Sequence, residues 1–160
     1  MTIETKIDFK RYLKLMYILT YRNASIILLT IIGLIALIMG VLNLIFLDNP
    51  QYMSFVMGFI LIAFPPVSVY MGSKKNFSSH GRLKEKMIYE FTDNMIKITG
   101  ETFNSEFDWS KIYKITELKD WILIYQNRQI ANIIPKESFG ENIIDFKNLV
   151  RGKNIRIKFK

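Results

Sequence analysis

Two uninterrupted apolar runs dominate the first half of the chain. Ser25 to Leu47 reads SIILLTIIGLIALIMGVLNLIFL, without a single charge. As a helix rising ~1.5 Å per residue, it is long enough to cross a hydrocarbon core ~30 Å thick with some tilt. Tyr52 to Gly72 is a second charge-free run, with Tyr52 and Tyr70 spaced to sit in the aromatic belts of the two interfaces. Only residues 48–51, Asp48, Asn49, Pro50 and Gln51, separate the runs. So short a connection cannot recross a bilayer, and the pattern predicts an antiparallel two-helix transmembrane hairpin over 25–47 and 52–72. Before it, Phe9, Leu13, Met16 and Tyr17 recur at helical spacing among Lys10, Arg11 and Lys14. That predicts an amphipathic helix within 1–24, lying on the cytoplasmic leaflet or packed on the protein's own cytoplasmic domain.

Small residues mark the expected helix contact. Gly33, Ala36, Gly40 and Asn43 form a narrow stripe on the first run, and Ser54 and Gly58 form a small-xxx-small pair on the second. Such stripes let helices approach closely, either within the hairpin or between copies of the chain. Pro65 and Pro66 lack backbone N–H groups and should kink the second helix or end its regular part. Neither run contains Asp, Glu, Lys, Arg or His, so the usual marker of an ion path is missing.

After Gly72 the composition becomes mixed. The stretch SKKNFSSHG supplies turn formers, and a linker is expected over 73–85. From there the period is two: Met87, Tyr89 and Phe91 alternate with polar neighbours, and Phe103, Ser105, Phe107 and Trp109 oppose Thr102, Asn104, Glu106 and Asp108. Strands are predicted near 86–92, 95–99, 102–109, 112–118, 121–126 and 129–134, with a bulge or helical turn after Trp109. Pro135 should stop the last of them. Ser138-x-x-Glu141 reads as a capping box leading into an amphipathic helix with Phe139, Ile143, Phe146 and Val150 on one face. Residues 155–160 are left as a short strand or basic tail. The whole is an α+β membrane protein, with a small antiparallel β-sheet or barrel over 86–160 closed by a C-terminal helix.

Charge orients this plan. The chain carries 22 Lys and Arg against 14 Asp and Glu, a net charge of +8. Lys6, Lys10, Arg11, Lys14 and Arg22 precede the first run, Lys74, Lys75, Arg82, Lys84 and Lys86 follow the second, and the loop between has none. The bias places both termini on the cytoplasmic side. A cleaved signal peptide is disfavoured by the length of the first run and by the lack of a nearby small-x-small cleavage site. Lys74, Lys75, Arg82 and Lys84 are the candidates for contact with anionic headgroups, or else serve only to fix topology. Nucleic acid is not the expected partner, because the aromatics that could stack on bases mostly occupy core-facing strand positions.

Catalytic chemistry finds little support. The absence of cysteine excludes disulfides, thiolate metal sites and a cysteine nucleophile. There is no Gly-rich phosphate loop, no H-E-x-x-H and no G-x-S-x-G. The single histidine, His80, falls in the linker, and Glu106, Asp108, Glu117 and Asp120 read as solvated charges on strands and turns. No cofactor, metal or catalytic residue is expected.

The run from Phe107 through Trp109, Ile112, Ile115 and Glu117, then Trp121 to Tyr125, then Ile134-Pro135-Lys136 and Phe139, resembles the YcxB-like family of bacterial membrane proteins. The resemblance implies a two-helix hairpin joined to a β-domain related to bacterial pleckstrin-homology-like (PH-like) domains, in the bacterial inner membrane. Its pattern residues are Trp109, Ile112, Pro135, Lys136 and Phe139, and it brings no catalytic residues with it. A PH-like domain has seven strands before its closing helix, whereas six are visible here. The combined expectation is a non-enzymatic membrane protein whose cytoplasmic domain binds a protein segment or anionic lipid. The alternative is a structural or assembly subunit acting through its hairpin as a homo-oligomer.

Overall fold

The computed structural model describes residues 1–48 and 52–159. Asn49, Pro50 and Gln51 of the expected loop lie outside the described residues. The chain divides into two units, one formed by Asp8–His80 and the other by Met1–Ile7 together with Gly81–Lys160.

The first unit is helical. Helix α1 (Phe9–Thr20) starts at Asp8, whose carboxylate accepts a hydrogen bond from the Arg11 N–H at 2.8 Å. Helix α2 (Ala24–Phe46) starts at Asn23, whose side chain accepts from the Ser25 N–H at 2.9 Å. Both caps satisfy backbone donors that the first helical turn leaves unpaired. Helix α3 (Met53–Ser79) continues through Pro65 and Pro66, so the prolines do not end it. It also continues beyond Gly72, and most of the expected 73–85 linker is helix, followed by a 3-10 turn over Gly81–Leu83. Ser and Asn are only mildly unfavourable in an established helix, and the Ser79 hydroxyl donates to the Lys75 carbonyl at 2.7 Å, so the turn formers of this stretch do not stop propagation.

Helix α1 packs on α3. Phe9 lies against Tyr70 and Phe77, with ring centroids 6.1 and 5.5 Å apart, and Tyr12 lies 5.6 Å from Phe77. The Tyr17 hydroxyl donates to the Pro66 carbonyl at 3.0 Å. Tyr12 and Leu15 are the buried positions, while Leu13 and Met16 of the expected stripe are half-buried. The buried face is therefore rotated from the predicted one.

Among the described residues the second unit holds eight strands: β1 (Thr2–Thr5), β2 (Met87–Phe91), β3 (Met95–Thr99), β4 (Asn104–Asp108), β5 (Lys114–Glu117), β6 (Trp121–Tyr125), β7 (Ala131–Pro135) and β8 (Arg156–Lys158). They form two four-stranded sheets, ordered β1-β2-β3-β4 and β7-β6-β5-β8. All neighbours are antiparallel except β5 and β8, which are parallel. A 3-10 turn over Trp109–Lys111 links β4 to β5, in the place where the alternation breaks.

Strand β1 is not predicted from its sequence. Residues 1–24 divide accordingly: Thr2–Thr5 pairs with β2, with Ile3 opposite Tyr89, and the helical unit is inserted between these two neighbouring strands. The predicted capping box is also absent. Gly140 takes φ +51°, where only glycine sits without strain, and breaks the turn over Lys136–Asn142. Helix α4 (Ile143–Arg151) begins after it, with Asn142 in the cap position and no side-chain cap bond.

One core joins the two sheets and α4. Phe91 is at its centre, 5.0 Å from Phe146, 6.2 Å from Phe139 and 6.2 Å from Trp109 between ring centroids. Ile96, Ile115, Ile122, Ile124, Ile134 and Val150 fill the space around these rings.

Candidate functional site

Helices α2 and α3 are both long and apolar enough to cross a membrane. Their contact is built on glycine. A Cβ at Gly33 would stand 2.8 Å from the Leu61 Cβ, one at Gly40 would stand 2.8 Å from the Phe55 Cβ, and one at Gly58 would stand 2.8 Å from the Gly33 carbonyl oxygen. The backbones thus meet where a side chain would separate them. Ala36, Asn43 and Ser54 are half-buried. The outward faces carry Ile31, Leu34, Ile38, Leu42 and Ile45 on α2, and Met57, Phe59, Ile60 and Phe64 on α3, all exposed. An unbroken apolar surface of this kind is stable only against an apolar medium or another protein.

The four candidate headgroup contacts divide between the units. Lys74 and Lys75 project from the last turns of α3 and are exposed. Arg82 stacks over the Phe103 ring at 4.5 Å. Beside it, Glu85 accepts hydrogen bonds from the Thr102 hydroxyl at 2.6 Å and the Thr102 N–H at 3.0 Å. These bonds, the hydroxyl's first and the backbone's second, hold the Glu85 carboxyl below its usual pKa. Arg82 and Glu85 therefore tie the segment that enters β2 to the β3–β4 hairpin, and Lys84 is exposed. His80 ends α3 at the surface, with its Nδ1 3.0 Å from the Asn76 carbonyl oxygen.

The pattern residues of the β-domain are chiefly core. Trp109 is buried, and its ring N–H donates to the Thr92 carbonyl at 2.9 Å. Ile112, Pro135 and Phe139 are buried as well. Lys136 is different. Its ammonium is ion-paired with Glu117, which is only 3% exposed, and Lys147 from α4 donates to the same carboxylate oxygen at 2.9 Å. The expectation of a solvated Glu117 is thus corrected: β5 carries it inward, and two cations from the end of β7 and from α4 compensate its desolvation. The sequence pattern put Glu117 on a strand or turn but could not reveal the lysines, which lie 19 and 30 residues further along the chain. Lys147 also lies 5.3 Å from the Phe159 ring, so the cluster reaches the end of β8.

Deeper in the domain, Tyr89 is almost fully buried, and among the described residues its hydroxyl finds only the Met87 sulfur, at 3.4 Å. Burial pushes its pKa well above the ordinary tyrosine value. An open cavity of about 380 Å³ is lined by Met1, Phe91, Thr92, Asp93, Asp145 and Leu149. Its two carboxylates disfavour an anionic ligand there.

No curated protein and no solved structure matches the chain. Residues 91–150, from Phe91 at the centre of the core to Val150 on the closing helix, match the family model described as YcxB-like protein. Over that stretch, which includes Glu117, Lys136 and the buried pattern residues, the chain is similar to the YcxB-like family.

Proposed function

We propose that this protein is a two-span membrane protein with both termini in the cytoplasm, and that its β-domain is a PH-like, non-enzymatic binding module held at the bilayer surface. The observation that carries the reading is the continuous exposed apolar surface of α2 and α3, made by side chains that water would not tolerate in such an array. Three further features support it. The basic residues flank the hairpin ends and are missing from the loop. Strand β1 precedes the hairpin and pairs with β2 after it, which favours an even number of crossings. Two sheets closed by a C-terminal helix suit a PH-like domain, with the strand that sequence periodicity lacks supplied by the N-terminal segment. The glycines that could serve contact between copies are taken up by the contact of α2 with α3.

The cysteine-free chain permits a direct test. Asp48→Cys should react with a membrane-impermeant maleimide applied to intact spheroplasts, while Lys75→Cys should react only after permeabilisation. The opposite pattern, or equal labelling of both before permeabilisation, overturns the topology.

A further inference from the structure

Basic residues gather at one end of the second sheet. Residues 109–116, 121–135 and 152–159 contain no Asp or Glu. The strand registers bring the ends of these segments together: Lys114 is opposite Tyr125 on β6 and beside Arg156 on β8, and Tyr125 is opposite Ala131 on β7. Lys111 precedes β5 at this end, and Arg128 lies in the β6–β7 hairpin. Lys111, Arg128 and Arg156 are exposed, and among the described residues none of them has an ion-pair partner.

Two details show that this end is held in shape. Lys114 is fixed against aromatic rings, its ammonium 4.4 Å from the centre of Tyr125 and 5.7 Å from that of Tyr113. The hairpin tip is fixed by the Asn127 side chain, which accepts from the Gln129 and Ile130 N–H groups at 2.8 Å each, and by the Gln126 N–H, which donates to the Ile130 carbonyl at 3.0 Å. Ile130 is thereby presented at a hydrogen-bonded turn and is 58% exposed. Lys114 and Arg156 are like charges in register on adjacent parallel strands, a repulsion that an anion lying over them would relieve.

We infer that this end of the β-domain, Lys111, Lys114, Arg128 and Arg156 around a projecting Ile130, docks on an anionic bilayer surface, the bases on headgroup phosphates and Ile130 in the interface. A surface that combines unpaired bases with a projecting aliphatic residue is complementary to a charged interface with an apolar interior. Nucleic acid would use the bases but leave Ile130 without a role. The inference rests on the two-span reading, which puts lipid within the chain's own reach.

The test uses the full-length protein in nanodiscs of phosphatidylcholine alone or with added phosphatidylglycerol, carrying Ile130→Cys labelled with an environment-sensitive nitrobenzoxadiazole. The expected result is a blue-shifted emission only in the anionic nanodiscs. It should revert in 1 M salt, where the screening length falls to ~3 Å. It should also be lost in Lys114→Glu/Arg128→Glu/Arg156→Glu, and the salt reversal stands independently if that variant does not fold. Emission that ignores lipid charge overturns the inference, as does a shift produced by single-stranded oligonucleotide and not by lipid. A second label at Ile38→Cys on α2 separates the two readings. If Ile38 reports hydrocarbon while Ile130 reports water in both nanodiscs, the docking surface fails and the two-span reading stands; if Ile38 reports water, both fail.

Discussion

Glu117 shows how much a single buried charge can organise. Its carboxylate is compensated by two partly exposed lysines, so each lysine is backed up by the other. Lys136→Met or Lys147→Met alone should lower thermal stability only slightly. The double variant leaves a buried carboxylate without its compensating cations and should cost about 3 kcal/mol or more, well beyond the sum of the singles. Adding Glu117→Gln to the double variant should recover much of that loss in thermal unfolding followed by circular dichroism. Tyr89 makes a second residue-scale prediction. Because burial raises its pKa, the folded state keeps the neutral phenol while the unfolded chain ionises near pH 10. This contribution leaves stability unchanged below that pH and erodes it above. Tyr89→Phe should therefore unfold like the parent at pH 8 and resist alkaline unfolding better above pH 10. An equal alkaline midpoint in the two proteins would refute the assignment.

At the scale of elements, the glycines of the hairpin separate two effects of the same substitution. Gly72 lies in α3 with open space around its would-be Cβ, so Gly72→Ala should stabilise the helix by up to ~1 kcal/mol. Gly40→Ala and Gly58→Ala bring the same gain in helix propensity but force backbones apart, and a net loss of about 1–3 kcal/mol is expected. Thermal unfolding in one detergent should rank Gly72→Ala above the parent and the other two below it. The elements also show what can be read from residue patterns. Six strands and all four helices follow from the residue pattern, because each presents an apolar repeat or run long enough to count. Strand β1 does not, since Thr2–Thr5 offers a single apolar residue and its partner lies beyond the entire hairpin. The reach of α3 past Gly72 was hidden for another reason: its polar last turns resemble a linker, and α1 covers part of them through Phe9 and Tyr12 on Phe77.

For the whole molecule, the two apolar helices are legible in composition alone, whereas the basic end of the second sheet is not. Its bases are scattered between positions 111 and 156, and only the pairing of β5 with β6 and β8 makes them neighbours. The interruption of the first sheet by the helical unit also bears on biosynthesis. Thr2–Thr5 leaves the ribosome before α2 and α3, yet its partner Met87–Phe91 is made last of the three. At ~5–20 residues per second the first strand waits on the order of 4–17 seconds. On the two-span reading proposed above, the N-terminal segment must through that interval stay on the side where the later strands will emerge. A chain that inserted in the wrong sense, or with one helix left out, would reach the end of translation with β2 as an open edge, the form most exposed to aggregation and proteolysis. On that reading, completion of one short edge strand would report that the preceding helices have been inserted correctly.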